Sequence, residues 1–216
     1  TGVHFVLSDN KELKTVATDS HRMSQKVITL EKNGDNFDVV IPSRSLREFT
    51  SVFSDDIETV EVFFANNQIL FRSEHISFYT RLLEGNYPDT DRLIPTEFNT
   101  EATFNVANLR FAMERARLLS NATQNGTVKL EFKNGVVSSH VHSPEVGRVN
   151  EEIDTSAVSG EDLSISFNPT YLIEALKAID SEQVVIRFIS SVRPFTLVPE
   201  GNEQGFIQLI TPVRTN

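Results

Sequence analysis

The sequence predicts an α+β fold built from two tandem domains of antiparallel sheet with few helices. Three observations carry this. First, residues 3–7 and 128–132 are matching short apolar strands, each closed by a polar turn, Ser8-Asp9-Asn10 and Lys133-Asn134-Gly135. Second, Val39-Val40-Ile41-Pro42-Ser43 leads into Leu46, Phe49 and Phe53 as Ser166-Phe167-Asn168-Pro169-Thr170 leads into Leu172, Ala175 and Ile179. Gly2 and Gly126, Leu46 and Leu172, and Val60 and Val184 all recur at an offset of about 125 residues, the size of a duplicated domain. Third, Gly85-Asn86-Tyr87-Pro88-Asp89-Thr90-Asp91 concentrates Gly and Pro at one point and reads as the linker. The domains are then residues 1–91 and 92–216.

In the first domain, strands are expected at 2–8, 12–18 and 26–31, with apolar and polar residues alternating through Leu13-Lys14-Thr15-Val16-Ala17. A strand at 37–41 runs into a helix near 43–53, for which Ser43 is the expected N-cap. Strands follow at 57–64, 68–72 and 75–81, with Asn66-Asn67 as a turn. The second domain opens with a strand at 101–104 and a helix at 106–120, where Val106, Leu109, Met113 and Ala116 recur at helical spacing. Strands are expected at 127–132, 136–141, 147–153 and 162–167, then a helix at 169–179 and strands at 183–190, 193–198 and 205–211. The first domain lacks a counterpart of the 106–120 helix. The chain also opens almost directly on a strand without Met, which suggests that an N-terminal part has been removed.

With 39% hydrophobic residues, including 16 Phe, both halves can bury ordinary cores. Cys is absent, which removes disulfides and thiolate metal sites and fits a reducing cytoplasm. No apolar run approaches the ~18 residues of a membrane span, and no signal peptide is present. A soluble, cytoplasmic protein with no membrane contact is expected.

The net charge of −10 argues against nucleic acid on average, but its distribution does not. The three helices carry Arg44, Arg47, Arg110, Arg115, Arg117 and Lys177 against only Glu48, Glu114 and Glu174. Arg110 and Arg117 are two helical turns apart and project from one side. Such segregation suits a surface facing phosphates, and it equally suits the solvent face of any amphipathic helix.

Two constellations invite a catalytic reading. Asp19, Ser20 and His21 stand together, but three consecutive side chains at a strand end cannot align as orienter, nucleophile and base. His140 and His142 alternate on one strand and share a face, with Glu145 as the only further candidate metal ligand. There is no Gly-x-Ser-x-Gly elbow and no phosphate-gripping Gly-rich loop. No catalytic residue, metal or cofactor is expected.

Three segments remain. Thr15-Val16-Ala17-Thr18-Asp19-Ser20-His21-Arg22-Met23 closely resembles the Thr-Val-Ala-Thr-Asp-Gly-His-Arg-Leu signature of the bacterial DNA polymerase III beta subunit, the replicative sliding clamp. Gly85-Asn86-Tyr87-Pro88-Asp89 with Arg92-Leu93-Ile94-Pro95 resembles that family's junction between second and third domains. Leu209-Ile210-Thr211-Pro212-Val213-Arg214 resembles its C-terminal tail. Ser20 stands where Gly is usual, and Thr215 and Asn216 extend the tail.

The resemblance implies the DNA-clamp fold, in which helices line a hole around duplex DNA and meet phosphates without reading sequence. On that footing Arg44, Arg47, Arg110, Arg117 and Lys177 are the DNA-facing cations. It implies a non-enzymatic processivity factor, a homodimeric ring when full length, and a monomer for this chain, which would hold most of the second domain and all of the third. It also implies a cleft between those domains for Gln-x-x-Leu-Phe-like motifs of the replicative polymerase, the clamp loader and repair proteins. Carried over by position, the cleft wall is Thr18, His21, Arg22, Met23, Pro88, Arg92, Leu93, Val192, Pro194, Ile210, Thr211, Pro212, Val213 and Arg214. Pro194 replaces a small polar residue common in the family. Leu118 and Leu119 match the helix that meets the partner subunit. A metal-dependent or hydrolytic enzyme using the His and Asp-Ser-His residues is the alternative.

Overall fold

A computed structural model describes residues 2–54, 56–65, 67–120, 126–143, 147–202 and 205–214. The chain forms two compact units, the first Thr1–Thr18 with Gln25–Asp89, the second Asp19–Ser24 with Thr90–Asn216.

The first unit contains β1 (Gly2–Ser8), β2 (Glu12–Thr18), β3 (Arg22–Thr29) from Gln25 onward, β4 (Phe37–Pro42), α1 (Ser43–Val52), β5 (Glu61–Ala65), β6 (Gln68–Arg72) and β7 (Ser77–Arg81). Its strands order as β3-β2-β1-β4 and β5-β6-β7. The β1–β2 hairpin closes where Asp9 and Asn10 take positive φ of 50° and 61°, a conformation these short polar side chains tolerate better than most. The resulting register sets His4 opposite Val16 and Ser8 opposite Glu12. The core gathers Ile41, Phe53, Ile69 and Phe71, with Phe49 4.4 Å from Phe53 and 4.6 Å from Phe71 between ring centroids.

The second unit opens with a 3-10 turn, Asp91–Leu93. It continues with β8 (Thr100–Asn105), α2 (Val106–Ser120), β9 (Val128–Lys133), β10 (Val136–Ser143), β11 (Gly147–Ile153), β12 (Ala157–Gly160) and β13 (Leu163–Phe167). It ends with α3 (Pro169–Lys177), β14 (Gln183–Phe188), β15 (Phe195–Pro199) and β16 (Phe206–Ile210). Its strands order as β11-β10-β9-β13 and β12-β8-β14-β15-β16. All named pairings in both units are antiparallel. One core joins both sheets to α2 and α3, through Phe104, Leu109, Met113, Phe167, Leu172 and Phe188 among others.

The internal repeat is visible in the strand orders. β3-β2-β1-β4 runs as β11-β10-β9-β13 does, and β5-β6-β7 runs as β14-β15-β16 does. Among the described residues the first unit has no counterpart of β8, α2 or β12. The consequence appears in the paired helices. α3 starts at Pro169, which needs no N–H partner, and the Asn168 side chain accepts from Thr170 N at 2.9 Å. It buries Leu172, Ile173 and Leu176, each worth at most about 1.5–3 kcal/mol of transfer free energy. α1 buries none of its residues completely.

The structure departs from the sequence expectations at several points. Ser43 is the first helical residue and not the N-cap, because β4 pairs as far as Pro42 opposite Gly2 and leaves Pro42 at the cap position. β3 starts at Arg22, four residues before the expected 26, and residues 57–60 precede strand β5 without joining it. β12 was not anticipated: its Ala-Val-Ser-Gly is too short to show a period, and only pairing with β8 defines it. Asn66 lies outside the described residues, while Asn67 carries φ of 64° as a turn residue would.

Candidate functional site

The candidate site grows from the four-residue turn Asp19–Arg22. Residues Asp19–Ser24 belong to the second unit. The Asp19 carboxylate folds the turn upon itself: Oδ1 accepts from His21 N at 2.8 Å and from Arg22 N at 3.0 Å, and Asp19 N donates to Arg22 O at 3.1 Å. Burial pushes the Asp19 pKa up, but these amides and the Arg22 guanidinium outweigh it and hold the carboxyl below its ordinary value. The side chain that a hydrolase would use as orienter is thus spent on local backbone.

Arg22 leaves this turn toward α3. Its Nε donates to Asp19 Oδ2 at 3.1 Å, its Nη1 donates to Glu174 Oε2, and its Cζ lies 4.7 Å from the Tyr171 ring centroid. His21 stacks on the same ring with centroids 5.8 Å apart and planes 15° apart. Tyr171 and Glu174 are one turn apart on α3 and therefore share a face. Partial burial alone would lower the Arg22 pKa; the two carboxylates reverse that and raise it, so the cation is secure. The tail joins the same cluster, since Thr211 N donates to His21 O at 2.9 Å and Val213 N donates to Ser166 O at 2.7 Å.

The remaining wall residues are distributed as follows. Arg92 and Leu93 lie in the 3-10 turn, which Leu93 N closes on Thr90 O at 3.0 Å, and Leu93 is half exposed. Val192 and Pro194 lie between β14 and β15, with Val192 exposed. Thr211, Val213 and Arg214 are exposed and Pro212 is half-buried. Thr18 and Pro88 belong to the first unit. Two of the expected wall residues are interior: Met23 is 2% exposed and Ile210 1%, so both offer little side-chain surface to a partner. Met23 sits in β3 where alternation turns it inward, and Ile210 ends β16, whose last three residues are all buried, which a list of positions cannot show. Sequence reasoning also passed over Tyr171 and Glu174, whose only trace is an aromatic and an acid three residues apart on a helix.

Against known proteins, residues 1–89 match the family model described as "DNA polymerase III beta subunit, central domain", and residues 91–214 match "DNA polymerase III beta subunit, C-terminal domain". The chain belongs to the DNA polymerase III beta-subunit family. It is 81% identical over all 216 residues to the beta sliding clamp of Streptococcus pneumoniae and spans 57% of that relative's length. The Lactococcus lactis beta sliding clamp is 55% identical over the whole chain, again at 57% of its length. Among solved structures, the DNA polymerase III beta chain of Streptococcus pneumoniae superposes with a TM-score of 0.97 at 80% identity, covering all of this chain and 57% of that one. The Bacillus subtilis sliding clamp gives 0.94 at 37% identity with the same coverage. The fold is therefore the α+β clamp fold.

In this beta-subunit chain the helical cations are partly occupied. Arg44 Nε donates to Glu48 at 3.1 Å, Arg115 pairs with Glu151, and Arg110 lies 4.0 Å from Glu114 with its Cζ 5.2 Å from the Phe111 ring centroid. Arg47 and Lys177 are exposed and Arg117 is half-buried. On α2, Leu118 is 72% exposed, whereas Leu119 is partly buried against the core. His140 and His142 share the outer face of β10 as expected. His140 Nδ1 meets Asn150 Oδ1 at 2.7 Å and its Nε2 meets Ser138 Oγ at 2.8 Å, while His142 Nδ1 accepts from Arg148 at 3.3 Å. Glu145, Thr215 and Asn216 lie outside the described residues. Among those described, no three His, Cys, Asp or Glu side chains form a metal-holding group, and no helix is long and apolar enough to cross a membrane.

Proposed function

We propose that this chain carries the partner-docking part of a sliding clamp, a non-enzymatic cytoplasmic processivity factor of the replicative DNA polymerase. The observation that supports it best is the joining of the signature turn to the tail. His21 O holds Thr211 N, so two segments far apart in sequence present one surface of exposed apolar and cationic groups. Exposed apolar side chains beside cationic groups suit the Leu and Phe anchors of a Gln-x-x-Leu-Phe-like segment from the polymerase, the clamp loader or repair proteins. The second-unit residues assigned to it are His21, Arg22, Arg92, Leu93, Val192, Pro194, Thr211, Pro212, Val213 and Arg214. Arg44, Arg47, Arg110, Arg117 and Lys177 are assigned to duplex phosphates, and Leu118 to the subunit contact of the longer relatives.

Micromolar affinity, about −8 kcal/mol, is expected for a short peptide with two apolar anchors. Calorimetry with a Gln-x-x-Leu-Phe peptide tests the reading on the chain and on Val213→Asp. Val213 is partly exposed, so the variant keeps the fold while placing a charge among the apolar groups of that surface. At least tenfold weaker binding is expected; equal binding by both proteins would mean that the tail is not part of the site. Met23 is unsuitable for this purpose, because a charge at a 2% exposed position disrupts packing first.

A further inference from the structure

Arg22 places a guanidinium on the proposed docking surface, and the protein itself already engages it. Nη1 is held by Glu174 and Nε by Asp19, with the Tyr171 ring against the guanidinium plane. The two carboxylates play different parts. Asp19 is bound to its own turn by two backbone amides and would remain beside Arg22 whatever arrives. Glu174 comes from another element, 152 residues away in sequence, with its side chain 50% exposed. Its backbone position is set by the Asn168 cap and by the buried Leu172, Ile173 and Leu176 on either side. The cluster of Arg22, Asp19 and Glu174 carries one net negative charge, although its central residue is a cation.

We infer that Glu174 is a specificity-determining residue of the docking surface: by occupying the Arg22 guanidinium it discriminates against partner segments bearing a carboxylate opposite Arg22. The inference rests on the docking role proposed above. A carboxylate approaching Arg22 must either displace Glu174 and leave that charge uncompensated or bind beside two acids that repel it, whereas a neutral amide or hydroxyl can hydrogen-bond without either cost. All three groups are a third to a half exposed, so the discrimination is screened and modest.

The test uses the whole chain and a Gln-x-x-Leu-Phe peptide with Asn, then Asp, at each non-anchor position in turn, measured by calorimetry. At the position facing Arg22 the native protein should bind the Asn peptide about three- to fivefold more tightly than the Asp peptide, as a screened surface charge allows. In Glu174→Gln that ratio should fall to one or invert. In Glu200→Gln, which removes an exposed acid elsewhere on the same unit, it should stay as in the native protein. The effect of Glu174 should also shrink with added salt. An unchanged ratio in Glu174→Gln overturns the inference while leaving peptide docking intact. An equal fall in both variants overturns it too, because net charge alone would then explain the preference. If no peptide binds the native chain, the docking reading itself fails and takes this inference with it.

Discussion

Asp19 illustrates how much one side chain can settle. Its carboxylate closes a turn, orients Arg22 and so aims that guanidinium at α3. Because hydrogen bonds hold its folded pKa below the ordinary value of 3.8, Asp19 contributes stability that is complete above that value and is lost as pH falls through the lower folded one. Asp19→Asn should therefore lower the Tm at neutral pH, and the difference from the native chain should shrink as the solution is acidified below 3.8. Thermal melts across that range check it; a difference that does not vary with pH would mean that the charge of Asp19 is immaterial to folding. Ser20, between Asp19 and His21, is exposed and takes no part in holding Arg22.

The repeat turns the two units into an internal control for secondary-structure elements. Leu46 on α1 and Leu172 on α3 occupy corresponding positions, yet Leu172 is fully buried and Leu46 only half-buried. α3 has α2 packed against it, while the first unit has no described counterpart of α2. The cost of removing a side chain follows the packing left behind, so Leu172→Ala should destabilise its unit by about 2–5 kcal/mol and Leu46→Ala by distinctly less. Denaturant titration of each variant decides it, and equal losses would mean that α1 is as well packed as α3. The same contrast separates β5, exposed at every residue, from β14, buried at most of them.

Charge distribution governs what the chain as a body does in solution. It is acidic overall, with its excess cations on three helices, several of them already paired with acids. Any attraction for duplex DNA should therefore be weak, independent of sequence and sensitive to salt. If Arg47, Arg117 and Lys177 are the cations that meet phosphates, log K should fall with log salt at a slope of about −3. Fluorescence anisotropy with duplexes of two unrelated sequences at several salt concentrations provides the check. A flat salt response or a preference for one duplex would end the phosphate reading.

The sequence by itself determined the fold class, the repeat and nearly every element, because strand alternation, helical spacing and Asn, Gly and Pro turns are local signals. It also carried the family, through segments whose residue order is specific enough to recognise without coordinates. What it left undecided is which side chains face outward and which residues meet. Met23 and Ile210 belong to segments shared with the proposed docking surface, yet both side chains are interior. Leu118 and Leu119 are neighbours in sequence, and the helix sends one to solvent and the other to the core. The engagement of Arg22 by Glu174 spans 152 residues and leaves no pattern along the chain. Such contacts depend on how separately formed elements pack, so they were fixed only when the second unit folded α3, the tail and the Asp19–Ser24 turn together.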